Sequence, residues 1–268
     1  MNAQPHLRAH FLGVPRIWVG GTALDVTRMR RPLTLLAYLA VEVDRPHPRE
    51  GIADLFWPEA STSDARRNLR QLLYRLRQLL HEDEADPPHL VSDSQALQFN
   101  AESSARVDVV DLPHLMADVN RHNHRRLAVC PVCAPKLEAM IALYRGRFME
   151  GWDFSDGPAL ERWVLMTQES LARSVHRALH ALGERYLAHD RGEDAQACAQ
   201  RLLQFDPWDE GAERLLLRSL VAIGHRNRAL REYGRFRAML ARELDLPPED
   251  ETQTLAKAIR DGAADVDR

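Results

Sequence analysis

The chain has 268 residues, of which 45% are hydrophobic and 28% charged, and its formal net charge is −3. This length allows one or two domains with an ample core, and the nearly neutral charge provides no global argument for nucleic-acid binding. Any basic surface must therefore be local. The arginines are concentrated near the N-terminus, where residues 1–81 hold 12 Arg against 7 Asp and Glu.

The sequence predicts neither export nor membrane insertion. No charged leader followed by an apolar segment opens it, and no apolar run approaches the ~18 residues that a membrane span requires. Three cysteines cannot make a disulfide framework, which fits a reducing compartment. We therefore expect a cytoplasmic protein without a membrane partner.

The N-terminal third begins with short strands and continues with helices. Residues 7–12, 16–19 and 23–26 are typical of strands, and glycine- and proline-containing turns separate them. Leucines at helical spacing predict a helix over residues 31–43, and a second, shorter helix over 49–57 is stopped by Pro58.

Residues 62–80 predict a third helix with two contrasting faces. One face carries only leucine, at positions 69, 72, 73, 76, 79 and 80. The opposite face carries Arg67, Gln71, Tyr74 and Gln78, flanked by Arg70 and Arg75. Such a helix suits major-groove reading, because Arg can pair with guanine and Gln with adenine. The alternative is an amphipathic surface helix whose arginine-rich face is simply solvated.

The segment after this helix favours DNA binding. Residues 90–92 and 97–99 predict a β-hairpin, separated from the third helix by an acidic, proline-containing linker. A sheet, three helices and a hairpin follow one another in a winged helix, where the third helix enters the major groove and the hairpin is the wing.

Helix geometry divides the candidate DNA contacts into three groups. We predict base-edge or groove contacts for one group, phosphate contacts for a second, and wing contacts for a third. In that order the groups are Arg67, Gln71, Tyr74 and Arg75; then Arg66, Arg70 and Arg77; then Ser92, Ser94 and Gln95; Asn68 completes the candidate set.

Residues 107–268 read as helical throughout, which places a domain boundary between residues 106 and 107. The predicted helices span residues 111–121, 134–146, 157–189, 193–204, 208–223, 226–243 and 251–262. Ala195 and Ala229 are 34 residues apart, as are Leu202 and Phe236. This period is typical of stacked tetratricopeptide helix pairs, and plain helical bundling is the alternative.

A cluster of histidine and cysteine residues interrupts this helical region. His122, His124, Cys130 and Cys133 lie within 12 residues and are ligand types that Zn²⁺ favours, so we predict a structural zinc site. His114 could replace one of the histidines. Two alternatives stay open: a loop that contains these residues by chance, and a metal-sensing or redox switch.

Short motifs occur along nearly the whole chain, and their joint order is more specific than any one of them. They are Phe56-Trp57-Pro58-Glu59, Ala65-Arg66-Arg67-Asn68-Leu69-Arg70, Val107-Asp108-Val109, Leu143-Tyr144-Arg145-Gly146, Asp206-Pro207-Trp208 and the stretch from Ala229 to Tyr233. Together they resemble the SARP-type bacterial transcriptional regulators. The resemblance implies an OmpR-like winged helix-turn-helix followed by an all-α, tetratricopeptide-like bacterial transcriptional activator domain, a mainly α fold with a small β component.

The resemblance also implies partners. Such regulators bind direct repeats in promoter DNA, usually as tandem protomers, and activate transcription by contacting RNA polymerase and its sigma factor. The loop between the second and third helices commonly faces polymerase, and here it corresponds to residues 58–63. Since family members often carry further domains, we expect either a short member or the N-terminal part of a longer regulator.

We do not expect an enzyme. The sequence contains no Gly-x4-Gly-Lys-Ser/Thr, His-Glu-x2-His or Gly-x-Ser-x-Gly motif. The function that the sequence favours is a sequence-specific transcriptional activator. Two alternatives remain: a protein-interaction module of the tetratricopeptide type, and a regulator that senses metal or redox state through its histidine–cysteine cluster.

Overall fold

The computed structural model describes residues 6–27, 29–123, 126–154 and 157–262. The chain forms two compact units. The first, here the N-terminal unit, comprises Met1–Leu115 and Ala142–Leu171; the second, here the helical unit, comprises Met116–Ile141 and Ala172–Arg268. The boundary predicted at residues 106/107 does not coincide with this division, because residues 142–171 return to the N-terminal unit.

Two small sheets and three helices form the first part of the N-terminal unit. One sheet has the order β3-β2-β1-β7, with only the β1–β7 pair parallel, and the other is an antiparallel sheet of order β4-β6-β5. The elements are β1 (Leu7–His10), β2 (Arg16–Val19), β3 (Thr22–Ala23), α1 (Arg30–Val41), β4 (His47–Pro48), α2 (Arg49–Phe56), α3 (Thr62–Leu80), β5 (Leu90–Ser92), β6 (Ala96–Phe99) and β7 (Arg106–Val107). The predicted winged-helix order is confirmed, and the two-residue strands β4 and β7 were not predicted.

The leucines of α1 and α3 form the core of the winged helix. Leu33, Leu36 and Leu39 of α1 are fully buried, as is Leu76 of α3, because their spacing places them on one side of each helix. Both α1 and α2 pack against α3. Ser61 caps α3 by accepting a hydrogen bond from the Asp64 N–H at 3.2 Å, so α3 begins where the sequence predicted.

Asp108 connects segments of the N-terminal unit that are far apart in sequence. Its buried carboxylate accepts hydrogen bonds from the N–H groups of Phe11 at 2.8 Å and Leu12 at 3.0 Å. It also accepts one from the Arg145 guanidinium at 2.5 Å. The Val-Asp-Val and Leu-Tyr-Arg-Gly motifs therefore meet where the buried Asp108 carboxylate pairs with the more exposed Arg145 and receives the residues after β1.

Residues 142–171 complete the N-terminal unit by packing against α1. Trp163 Nε1 donates a hydrogen bond to Glu42 at 3.0 Å, and its ring lies 5.1 Å from that of Tyr38 and 5.7 Å from that of Phe148. Gln168 donates to the Phe148 carbonyl at 2.8 Å. The winged helix thus gains a helical cover supplied by a later part of the chain.

Two histidines meet inside the N-terminal unit. His89 is fully buried, and its Nε2 lies 2.9 Å from Nδ1 of His6. Its Nδ1 has no hydrogen-bond partner among the described residues. Burial, together with the nearby His6, lowers the pKa of His89 to about 4.

We expect acid to destabilise the N-terminal unit through His89. The folded-state pKa lies below the ordinary value of 6.5, so this contribution to stability is present above pH 6.5 and is lost as the pH falls through about 4. The loss should be on the order of 2 kcal/mol, measured by urea unfolding at a series of pH values. His89→Asn should flatten the profile, whereas the same change at exposed His114 should not. Equal slopes in all three proteins would contradict the assignment.

The helical unit consists of consecutive packed helices. α4 (Asp108–Arg121), α5 (Ala134–Leu143) and α6 (Pro158–Leu187) contribute residues to both units, and α7 (Gly192–Phe205), α8 (Glu210–Ala222), α9 (Arg226–Glu243) and α10 (Asp250–Asp261) belong to the helical unit alone. Within it α7 packs on α8, α8 on α9, and α10 on both α8 and α9.

The 34-residue period coincides with equivalent positions in this stack. Ala195 and Ala229 are each the fourth residue of their helix, and both are fully buried where neighbouring helices approach. Leu202 and Phe236 are each the eleventh and are also buried. The predicted tetratricopeptide-like arrangement is confirmed. No helix in the described ranges is both long and apolar enough to cross a membrane.

Candidate DNA-binding surface and histidine–cysteine cluster

The polar face of α3 is exposed, as the leucine spacing predicted. Leu69, Leu72, Leu73, Leu76 and Leu80 are buried, whereas Tyr74 is 65% exposed although it is a large aromatic residue. The exposed side chains are Arg66, Arg67, Arg70, Gln71, Tyr74, Arg75 and Gln78. They present guanidinium, amide and phenol groups, which are types of group that bind base edges in the major groove; their contact with DNA stays a prediction.

A groove runs along one side of this face, here called the α1-side groove. α3 lines it with Asn68, Gln71, Tyr74 and Arg75, all of them among the predicted contacts. Arg30 and Arg31, at the start of α1, line its other wall. Helical spacing within α3 could not identify these two arginines, because only the packing of α1 on α3 brings them beside Arg75.

A second groove, here called the wing-side groove, lies on the other side of α3. It brings together Arg66, Arg70, Ser94 and Gln95 from the predicted set and adds Arg49, which sequence reasoning missed. Arg49 fixes the tip of the wing: its side chain donates to the Asp93 carbonyl at 2.9 Å and its N–H to the Gln95 carbonyl at 2.8 Å.

The tip of the wing is further ordered by the Asp93 carboxylate. It accepts hydrogen bonds from the N–H groups of Gln95 at 2.7 Å and Ala96 at 2.8 Å. These two N–H groups lower the pKa of Asp93, which therefore holds the turn in its ionised form. The wing is a preformed turn beside Arg66 and Arg70.

Three predicted phosphate or base contacts have partners within the chain. Arg66 pairs with Glu50, and Arg67 pairs with Asp64 at 2.7 Å. Both pairs are exposed, so exchanging the carboxylate for a DNA phosphate costs little. Arg77 is half-buried and donates to the Ser92 hydroxyl, which joins α3 to strand β5 of the wing. Arg77 and Ser92 therefore contact each other, and their role toward DNA stays a prediction.

The histidine–cysteine cluster lies between α4 and α5 in the helical unit. His122 follows α4 directly, and Cys130 and Cys133 precede α5 after a short 3-10 turn at Leu127–Val129. His122 Nδ1 lies 3.4 Å from Cys130 Sγ and 3.2 Å from Cys133 Sγ, and the three possible ligand atoms lie within 4.8 Å of one another. His114 is not part of this group, and His124 lies outside the described residues.

The two thiols of the cluster are electrostatically unequal. Burial raises the pKa of Cys130, but hydrogen bonds from the N–H groups of Cys133 and Val132 and from the Cys133 thiol outweigh it, and the net pKa is lowered. Burial and the neighbouring Cys130 raise the pKa of Cys133.

The N-terminal unit is thus a winged-helix module, and the helical unit is a tetratricopeptide-like stack. Residues 108–260 match the family model described as the bacterial transcriptional activator domain. This match covers more than half of the chain, and the chain belongs to this family of transcriptional regulators. The predicted resemblance to SARP-type regulators is confirmed.

Two known proteins are similar to this chain. The regulatory protein AfsR of Streptomyces griseus is 26% identical over 260 residues, which are 94% of this chain and 24% of that protein. This chain therefore spans about a quarter of the length of AfsR. The solved structure of Mycobacterium tuberculosis EmbR in complex with a low-affinity phosphopeptide is 20% identical with a TM-score of 0.71, covering 96% of this chain and 65% of EmbR. The likeness to EmbR confirms the fold.

Proposed function

We propose that this chain is a sequence-specific DNA-binding transcriptional activator that reads the major groove with α3. The observation that carries the proposal is the exposed face of α3, which presents Arg, Gln and Tyr side chains. A groove lies on each side of this face; α1 adds two arginines to one groove, and α2 adds one to the other. Membership in the bacterial transcriptional activator domain family supports the same function. DNA with a promoter-type recognition sequence is the ligand.

The arrangement separates base reading from phosphate binding. Gln71, Tyr74 and Arg75 project from the middle of α3, where a helix in the major groove meets base edges. Arg66 and Arg70 face the wing-side groove together with Arg49, where one DNA strand would pass between α3 and the wing. These cations neutralise phosphates and give no sequence preference by themselves.

We further propose that two protomers bind direct repeats side by side and that the bound protein contacts RNA polymerase and its sigma factor. Family membership supports this expectation. The surface proposed for polymerase is the loop between α2 and α3, which the structure places at residues 57–61. It ends at the Ser61 cap of α3, so its position is tied to the reading helix.

Selection of binding sites from a random DNA library by the purified chain tests the proposal. A recurring motif in direct repeat, bound with strong salt dependence, is the expected result. Absence of salt-dependent binding to any DNA would contradict the proposal and favour the protein-interaction module.

Substitutions in α3 should then divide into two kinds. Arg70→Ala should weaken binding to all sequences alike and reduce the slope of log Kd against log salt by roughly 0.9, the value for one phosphate contact. Gln71→Ala or Arg75→Ala should relax the preference at one base pair by about 1–3 kcal/mol. Arg228→Ala, an exposed arginine of α9, is the matched control and should change neither quantity. A uniform loss in all three α3 variants would contradict base reading by α3.

A further inference from the structure

We propose that His122, Cys130 and Cys133 bind one structural zinc ion that fixes the connection between α4 and α5. All three residues lie in the helical unit, and the site does not depend on DNA binding. Their placement in the fold identifies three of the ligands that residue spacing predicted for zinc.

The distances suit tetrahedral coordination of one small cation. With Zn–S of ~2.3 Å and Zn–N of ~2.0–2.1 Å, a tetrahedral site separates sulfur from nitrogen by about 3.5 Å. The two observed distances from His122 Nδ1, 3.4 Å to Cys130 Sγ and 3.2 Å to Cys133 Sγ, are close to this value. One nitrogen thus lies close to both sulfurs at once. A dithiol that acts only as a redox pair would not need a histidine at this position.

Along this connection both sulfurs are inside while the neighbouring valines are in solvent. Cys130 and Cys133 are 7% and 0% exposed, whereas Val129 and Val132 are 47% and 54% exposed. The backbone therefore directs both sulfurs toward His122, as a shared ion between the three side chains would require.

The backbone around the cysteines ties both ligands to α5. The carbonyls of Cys130 and Cys133 accept the first hydrogen bonds of α5, from Ala134 at 3.2 Å and Leu137 at 3.0 Å. The Cys-x2-Cys turn is therefore part of the start of α5, and a ligand there fixes the helix.

The three side chains also match the charge of a divalent cation. Zn²⁺ with two thiolates and a neutral imidazole makes a neutral group, which suits a buried position. Binding would release the thiol protons to solvent while the two sulfurs and one nitrogen donate to the ion, with no change of oxidation state.

The site would hold α4 and α5 together, because few other contacts among the described residues of the connection do so. Lys136 of α5 and Asp118 of α4 form an ion pair at 2.9 Å, about one helical turn from the ligands. This pair is partly exposed and stabilises weakly on its own. Among the described residues 122, 123 and 126–133 of the connection, the 3-10 turn is the one regular element, so zinc would supply the main constraint between the two helices.

Metal analysis of the reduced, purified chain tests the proposal directly. We expect about one equivalent of zinc, because these three side chains form a single site, and its loss in Cys130→Ser, Cys133→Ser and His122→Ala. Cys198→Ser is the matched control, because Cys198 is a buried free cysteine of α7 outside the cluster. It should retain the metal. Less than about a tenth of an equivalent in the wild-type chain, even after addition of zinc chloride, would overturn the proposal.

Cobalt substitution keeps the test decisive if a ligand variant fails to fold. Co²⁺ added to the metal-depleted wild-type chain should give the visible absorption of a tetrahedral thiolate complex, and zinc should displace it. Oxidation of Cys130 and Cys133 to a disulfide would block cobalt, so the chain is reduced first. A fully reduced chain that binds no cobalt would refute the site.

Thermal unfolding separates a structural ion from a sensor. A chelator should lower the melting temperature of the wild-type and Cys198→Ser chains and leave that of Cys130→Ser unchanged. A chelator that changes DNA affinity without changing the melting temperature would overturn the structural role.

Discussion

Replacing Asp108 by alanine is expected to destabilise the N-terminal unit by roughly 2–6 kcal/mol, the cost of leaving two buried backbone donors without an acceptor. The change leaves the N–H groups of Phe11 and Leu12 without their carboxylate acceptor and removes the partner of the more exposed Arg145. Each buried donor without an acceptor costs about 1–3 kcal/mol. The loss is a large fraction of the ~5–15 kcal/mol net stability of an ordinary domain.

Urea unfolding followed by tryptophan fluorescence measures this loss. Trp18, Trp57, Trp152 and Trp163 lie in the N-terminal unit, and Trp208 alone lies in the helical unit. Burial raises the pKa of Asp108 to about 6, so the measurement belongs above pH 7, where the carboxylate is ionised. Asp111→Ala, on the same helix and partly exposed, is the control. Equal losses in the two variants would show that Asp108 has no special role.

Replacing Glu213 by glutamine is expected to stabilise the helical unit by roughly 2–3 kcal/mol at pH 8.5. Glu213 is 3% exposed, and its Oε1 has no hydrogen-bond partner among the described residues. Burial raises its pKa to about 7, and the like charges of Glu232 and Glu210 act in the same direction. Glutamine keeps the shape of the side chain and removes the charge.

The sign of the effect follows from the direction of this pKa shift. The folded-state pKa is raised, so the contribution of Glu213 to stability is fully present below its ordinary pKa of 4.5 and is lost as the pH rises through about 7. Thermal melts followed by circular dichroism should therefore show a gain for Glu213→Gln at pH 8.5 and little difference at pH 4. Glu193→Gln, an exposed residue of α7, should change stability by less than about 0.5 kcal/mol at both pH values. A pH-independent gain would contradict the assignment to ionisation.

The elements of both units could be predicted because local patterns determine them. Leucine spacing gave the buried face of α3, and the Ser61 cap gave its start. The 34-residue recurrence of Ala195 and Ala229 gave the helical stack, because equivalent contacts between neighbouring helices require small residues at equivalent positions. In each case the residues that share one face of a helix are close in sequence or recur at a fixed period, so the sequence pattern reveals them.

The two grooves beside α3 could be predicted only in part. The α3 side chains followed from helix geometry, but Arg30, Arg31 and Arg49 reach the grooves through the packing of α1 and α2. No spacing rule relates these arginines to Arg70 or Arg75. Their position depends on crossing angles between helices, which the local sequence does not specify.

The histidine–cysteine cluster shows the same division. The Cys-x2-Cys spacing identified a candidate site, since two cysteines three residues apart can reach one ion. Several histidines were candidates, and spacing alone left open which of them faces the sulfurs. The structure places the His122 ring, just after α4, beside both thiols, and His124 lies outside the described residues.

By itself the sequence determined the order of elements, the polar face of α3 and the family to which this chain belongs. Only the tertiary structure decided that Asp108 and Arg145 form an ion pair and that residues 142–171 pack against α1. The physical reason is the range of the interactions. Hydrophobic periodicity and capping act within a few residues, whereas a buried carboxylate selects its donors from segments that approach only after the chain has folded.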